Sequence, residues 1–229
     1  MTRSRRHLRD LTRPALTGVL GALACLVVAA TAFAAAIIYS NDFSGGSEMR
    51  ELKPASKSKA CDRSYDAKHN GSRIRVKNKR FCAYVPPVRS DGDRGDLVVR
   101  LEGRIAKSVP DALREDTYLA VGARGGYVFK VYPKGKRYRL ERRPNAGEFP
   151  VAGRDSKIRG IGEANELSLQ AFGNDLVAKV NGKTVARVSD ARSEDIKGRM
   201  VEVGVGLDRK ADRVATGTLK SVRVAVPNP

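Results

Sequence analysis

The chain predicts an all-β domain of two packed antiparallel sheets, set behind one apolar N-terminal segment. Three observations predict it. Residues 15–38 carry no charge; beyond them apolar and polar side chains alternate in short runs broken by Gly, Pro or Asn; and no helix longer than two turns is legible after residue 38. Ten or more short strands on short links close most simply as a sandwich.

The apolar segment comes first. As a transmembrane helix, residues 15–38 rise about 36 Å, enough to cross a bilayer. Arg3, Arg5, Arg6, Arg9 and Arg13 precede it against Asp10 alone, so residues 1–14 are expected on the cytoplasmic side and the remainder outside. The same run also reads as a signal peptide cut after Ala34, because Ala32 and Ala34 flank Phe33 in a small-residue cleavage pattern. A lipoprotein signal at Cys25 is weaker, since Ala22 stands where leucine is expected. Either way the rest is exported: residues 39–59 as a polar stalk with a candidate first strand, and residues 60–229 as the extracytoplasmic domain.

Within that domain Ile74 and Val76 alternate with Arg73, Arg75 and Lys77, a half-buried strand. Residues 81–85 form the next, ended by Pro86 and Pro87, which cannot donate to a ladder. Residues 97–105 place Leu97, Val99 and Leu101 on one face. Residues 117–121 follow, then a hairpin of 126–132 and 136–142 turning through Pro133 and Gly135. Residues 144–162 read as a loop holding a short strand at 158–161. Residues 165–172, 175–180 and 183–188 make a meander, and Asn181-Gly182 within it fits a type I′ turn, whose two central residues need positive φ. Runs at 202–207 and 219–226 complete the set.

Outside the apolar segment there are two cysteines, Cys61 and Cys82. In an oxidising compartment such a pair reads as one disulfide; the alternative is two buried thiols. With His69 they fall short of the four ligands of structural zinc. Asp91, Asp93 and Asp96 crowd one turn but lack the downstream glutamate of a calcium loop. Neither metal nor cofactor is predicted. The net charge of +19 attracts anionic polymers by its field alone. Its Lys and Arg residues are nonetheless spread over nearly every strand and turn, as on an ordinary solvated surface, and export argues against nucleic acid.

The run from Asn165 through Asn181-Gly182 to Asp190 and on to Gly206-Leu207 resembles the closing half of concanavalin A-like, laminarinase-type jelly-roll domains. Asp42-Phe43 is similar to their opening strand, and residues 125–131 to a central one. The resemblance implies a two-sheet jelly roll of the kind displayed by single-pass bacterial, particularly actinobacterial, membrane proteins. It makes Asn181, Gly182, Asp190, Gly206 and Leu207 structural positions. Hydrolytic members carry a Glu-x-Asp-x-Glu strand whose glutamates act on a sugar. No such run occurs here, and Glu163 and Glu166 have the wrong spacing.

On that ground the expected function is a non-catalytic, membrane-anchored module acting in protein interaction or envelope structure. The alternative is a carbohydrate-binding module, with a hydrolase of another type as a third reading. Sugar contacts would come from Tyr118, Tyr127, Phe129, Tyr132 and Tyr138, although alternation puts Tyr127 and Phe129 on one face and Tyr132 on the other, and aromatics so spaced also suit a core. The chain has no tryptophan, the strongest sugar-stacking residue. A Ser-His-Asp constellation would have to use His69 with Asp66 or Asp62. The expected partners are the membrane, an envelope protein or glycan, and an anionic polymer.

Overall fold

The computed structural model describes residues 35–88, 95–143, 151–191 and 200–227. The first strands in chain order are β1 (Ala35–Asn41), β2 (Lys53–Pro54), β3 (Cys61–Asp66), β4 (Gly71–Val76) and β5 (Arg80–Val85). The middle of the chain supplies β6 (Leu97–Ile105), β7 (Thr117–Ala123), β8 (Tyr127–Tyr132), β9 (Arg137–Arg142) and β10 (Val151–Arg154). The meander is β11 (Asn165–Phe172), β12 (Asp175–Val180) and β13 (Lys183–Ser189), followed by β14 (Glu202–Leu207) and β15 (Ala215–Pro227).

These strands pair antiparallel in two sheets. One runs β13-β12-β11-β6-β15-β4-β3, with β1 also on β15; the other runs β10-β9-β8-β7-β14-β5-β2. Leu101, Leu167 and Val224 from the first sheet meet Leu119, Phe129 and Val205 from the second in a fully buried layer. Alternation places them there, since side chains of one parity share a face.

The N-terminal expectation is corrected where it can be seen. Residues 1–34 lie outside the described residues, with the positions before the apolar run and most of the run itself. Residues 35–38, expected as the end of a transmembrane helix, are strand. β15 explains why: β4 covers its residues 215–219, and β1 takes the ladder from Val222 to Pro227. Without β1 that part of the edge would leave backbone groups unpaired. Among the described residues no helix is long and apolar enough to cross a membrane. Residues 39–59, read as a stalk, lie within the domain, because Tyr39, Phe43 and Leu52 enter the core.

Other local readings meet the structure more closely. Cys61 on β3 and Cys82 on β5 are joined in a disulfide that ties the edge of the first sheet to the second. Asn181 and Gly182 have φ of 48° and 80°, as a type I′ turn requires. The short strand expected at 158–161 is irregular, and it follows a turn in which Asp155 Oδ1 accepts the Lys157 amide at 2.8 Å. The pairing strand lies earlier, at β10, although Ile158 is still buried.

Candidate functional site

Four central strands of the seven-stranded sheet build one outer face. Leu119, Val121, Phe129, Val131, Val203 and Val205 point inward, so residues of the other parity point out. The register then aligns Gly206 with Tyr118, Ala120 with Lys130, Lys130 with Arg139, and Val128 with Glu141. A Cβ on Gly206 would overlap the Tyr118 ring, so the missing side chain lets that ring lie over β14. Tyr118 and Tyr132 then meet with ring centroids 5.3 Å apart, and Phe81 approaches Tyr118 at 6.1 Å.

Charge is woven through these rings. The Lys130 ammonium lies 4.8 Å from the Tyr118 centroid, 2.9 Å from Glu141 Oε2 and 3.4 Å from Asp208 Oδ1. Tyr132 donates its hydroxyl to Asp208 Oδ2 at 2.5 Å. Arg139 pairs with Glu141 at 3.2 Å, and Arg143 donates to Glu202 at 2.8 Å. Arg137 sits 5.0 Å over the Tyr132 ring, and Arg143 5.2 Å over Phe81. Glu141 and Glu202 are buried at the base, Lys130 is mostly covered above them, and Arg137, Arg139, Arg143 and Asp208 remain partly exposed around it.

This arrangement sets the protonation of the tyrosines. Burial pushes both hydroxyls well above the ordinary phenol value, and for Tyr132 the hydrogen bond to Asp208 pushes in the same direction. Both are therefore hydrogen-bond donors at neutral pH. Glu141 and Asp208 share one ammonium, which gives the face two carboxylates beside a protonated phenol. A guanidinium rim around them suits planar, carboxylated ligands, because its fork matches the two oxygens of a carboxylate.

The sequence-predicted aromatics divide. Tyr118 and Tyr132 belong to this face, though they are only 3% and 2% exposed. Tyr127 and Phe129 point into the core, where Tyr127 donates to Asp190 Oδ2 at 2.8 Å and Asp190 also pairs with Arg142. Tyr138 packs inward against Phe129, with centroids 6.4 Å apart. Sequence reasoning missed Arg139, Glu141, Arg143, Glu202 and Asp208. Alternation carried part of the signal: Lys130 shares parity with Tyr132, and Arg137, Arg139, Glu141 and Arg143 form one charged row.

Two other singled-out residues have different tasks. His69 Nδ1 is 2.9 Å from Asp66 Oδ2, but the nearby hydroxyl, Thr218 Oγ1, donates to that same carboxylate at 3.1 Å. A nucleophilic triad needs the hydroxyl on the imidazole. Asn181 does more than turn the chain: its amide donates to Lys157 O at 2.6 Å, and its Oδ1 accepts the Glu166 amide at 2.8 Å. Of the aspartate-rich turn, residues 91–94 lie outside the described residues; Asp96 pairs with Arg124 at 2.8 Å.

No protein-family model matches the chain, and no curated protein matches its sequence. Solved structures do share its fold. A protein of unknown function with a galectin-like fold from Bacillus subtilis superposes with a TM-score of 0.57 at 9% identity, covering 84% of this chain and 98% of that one. A family 7 alginate lyase, A1-II′, in complex with substrate gives 0.54 at 13% identity over 76% and 84%. A structure reported with endo-acting O-glycanases of the human gut microbiota gives 0.51 at 12% identity over 84% and 100%. The fold is thus a galectin-like β-sandwich of the jelly-roll kind. The non-catalytic reading is corrected by the same neighbours: a lyase does not hydrolyse, so the absent hydrolytic glutamate pair does not mark this fold as inert.

Proposed function

We propose that the protein is a carbohydrate-active module whose glycan site is the outer face of β14, β7, β8 and β9. One observation carries this reading: Lys130 is held between Glu141 and Asp208, beside the Tyr132 hydroxyl and over the Tyr118 ring. The ligand class is a glycan bearing carboxylates. Arg137, Arg139 and Arg143 meet its acidic groups, the buried Tyr118–Tyr132 pair supports Lys130 and Arg137 from within the sheet face, and Glu141 and Asp208 are the proton-transfer groups if the bound chain is cleaved. Neighbours named for alginate lyase and O-glycanase activity support a carbohydrate role on this fold. We place the domain outside the cytoplasmic membrane, as the arginine-rich start and the apolar run imply, in the manner of laminarinase-type domains of bacterial surface proteins.

Calorimetric titration with oligouronates and with neutral oligosaccharides tests the binding. A polymer-cleavage time course, read both as new reducing ends and as ultraviolet absorbance of unsaturated products, tests catalysis and separates hydrolysis from elimination. Oligouronate binding is expected to weaken about tenfold in Arg139→Ala, the loss of one charged hydrogen bond. Absence of binding to either glycan class, together with no cleavage, overturns the proposal.

A further inference from the structure

A second cleft lies away from the outer face and shares no residue with it. It opens where the edges of the two sheets meet, between β2 of one and β3 of the other, and has a volume of about 550 Å³. Lys57, Lys59 and Arg63 line it with the hydroxyl residues Ser56 and Ser58, and no carboxylate lines it. The Cys61–Cys82 disulfide borders the cleft and joins β3 to β5, so its walls are covalently linked.

Arg63 is the informative residue. Its guanidinium stacks 4.5 Å over the Tyr84 ring and donates to Leu52 O at 2.6 Å, which holds it in one place and half-buries it. Among the described residues no carboxylate lies within ion-pair distance of it. The neighbouring acid, Asp62, faces Arg75 at 3.8 Å instead. Burial lowers the proton affinity of Arg63, and the neighbouring Tyr84 offsets that only in part. Partly desolvated cations in proteins are normally paired, because leaving one uncompensated is costly. Lys57 and Lys59 add two exposed ammonium groups, also without an ion pair among the described residues.

We propose that this cleft is a separate anion site that takes a sulfate or phosphate ester carried on an oligosaccharide. Arg63 supplies a positioned fork for the oxyanion. Lys57 and Lys59 follow further charges along the chain, and the serine hydroxyls donate to its remaining oxygens. The cleft is large enough for a substituted sugar unit rather than a bare ion. The outer face would read carboxylated rings, and the cleft esterified ones.

The test uses the full-length protein, a sulfated hexasaccharide, its unsulfated parent, and inorganic sulfate as competitor. The sulfated chain is expected to bind, with affinity falling as salt rises. Inorganic sulfate should displace it, and the unsulfated parent should not compete. Arg63→Gln is expected to weaken binding about tenfold or more, as loss of a charged hydrogen bond does. Because Arg63 packs on Tyr84, the exposed pair Lys57→Gln and Lys59→Gln serves as the second variant, with a similar loss and unchanged unfolding. That double variant should leave oligouronate binding at the outer face intact, so failure of the cleft and failure of the outer-face site are read separately. Equal affinity for the sulfated and unsulfated chains, or wild-type affinity in both variants, overturns the proposal.

Discussion

Replacing Gly206 by alanine adds one methyl group where the ring of Tyr118 now rests. The ring cannot swing aside freely, because Tyr132 stands 5.3 Å away, Phe81 6.1 Å, and Lys130 covers its face. Forcing a methyl into packing of this kind costs about 1–3 kcal/mol. Displacing the ring also sacrifices part of an aromatic pair, about 0.5–1.5 kcal/mol, and of a cation–π contact, about 0.5–1 kcal/mol. Alanine returns about 0.5–1 kcal/mol through the less flexible unfolded chain. The expected net loss is about 2 kcal/mol, measured by urea unfolding at neutral pH. The sharper readout is a double-mutant cycle: in a Tyr118→Ala background, where no ring is displaced, Gly206→Ala should cost less than about 0.5 kcal/mol. The same cost in both backgrounds, or no cost in either, would refute the placement of Tyr118 over β14 and the packing of the face built around it.

Further outcomes follow from single features. Reducing the Cys61–Cys82 bond, which spans 21 positions, should cost about 3 kcal/mol of stability, read as a lower urea midpoint in reductant. Asp66 is 3% exposed; burial alone would raise its pKa, but hydrogen bonds from His69, Arg73 and Thr218 outweigh that and depress it. Its contribution is therefore present above the ordinary carboxylate value of about 3.9 and is lost as pH falls toward the depressed native value. Asp66→Asn should flatten the acid limb of a stability-versus-pH curve, and an unaltered limb would contradict the assignment. Gly182→Val should cost about 1–3 kcal/mol, because a branched side chain is forced to φ of 80° although nothing crowds the site. Equal urea midpoints for that variant and the wild type would remove the type I′ turn.

Strand patterning was legible wherever alternation was regular and a turn residue closed the run. β5, β6, β11 and β12 lie where the pattern puts them, and the Asn181-Gly182 turn has the required backbone. The disulfide followed from the cysteine count, together with an expected oxidising compartment. β1 was not legible, since Ala35, Ala36, Ile37 and Ile38 continue an apolar run that suits a helix equally well; the open edge of β15 decides it. Phe43 and Leu52 were hidden for a different reason, because they reach the core from an irregular stretch with no period to follow. The candidate site was half visible: Tyr118 and Tyr132 were named, but so were Tyr127, Phe129 and Tyr138, which face the other way.

Period-two alternation divides each strand into two faces from local sequence alone, and that much belongs to the chain by itself: a β-sandwich with basic residues along its strands and two cysteines able to pair. Which face meets the core is a property of the assembled sheets. In β7 and β14 every side chain is buried, so hydrophobicity does not distinguish inside from outside there. The tertiary pairing of β14 with β5 and β7 sets Gly206 beneath Tyr118, and the packing of β7, β8 and β9 brings Lys130 and Glu141 to Asp208, which follows β14. Lys130 and Asp208 stand 78 residues apart in the chain, and a charge cluster assembled over that distance leaves no spacing for a motif to record.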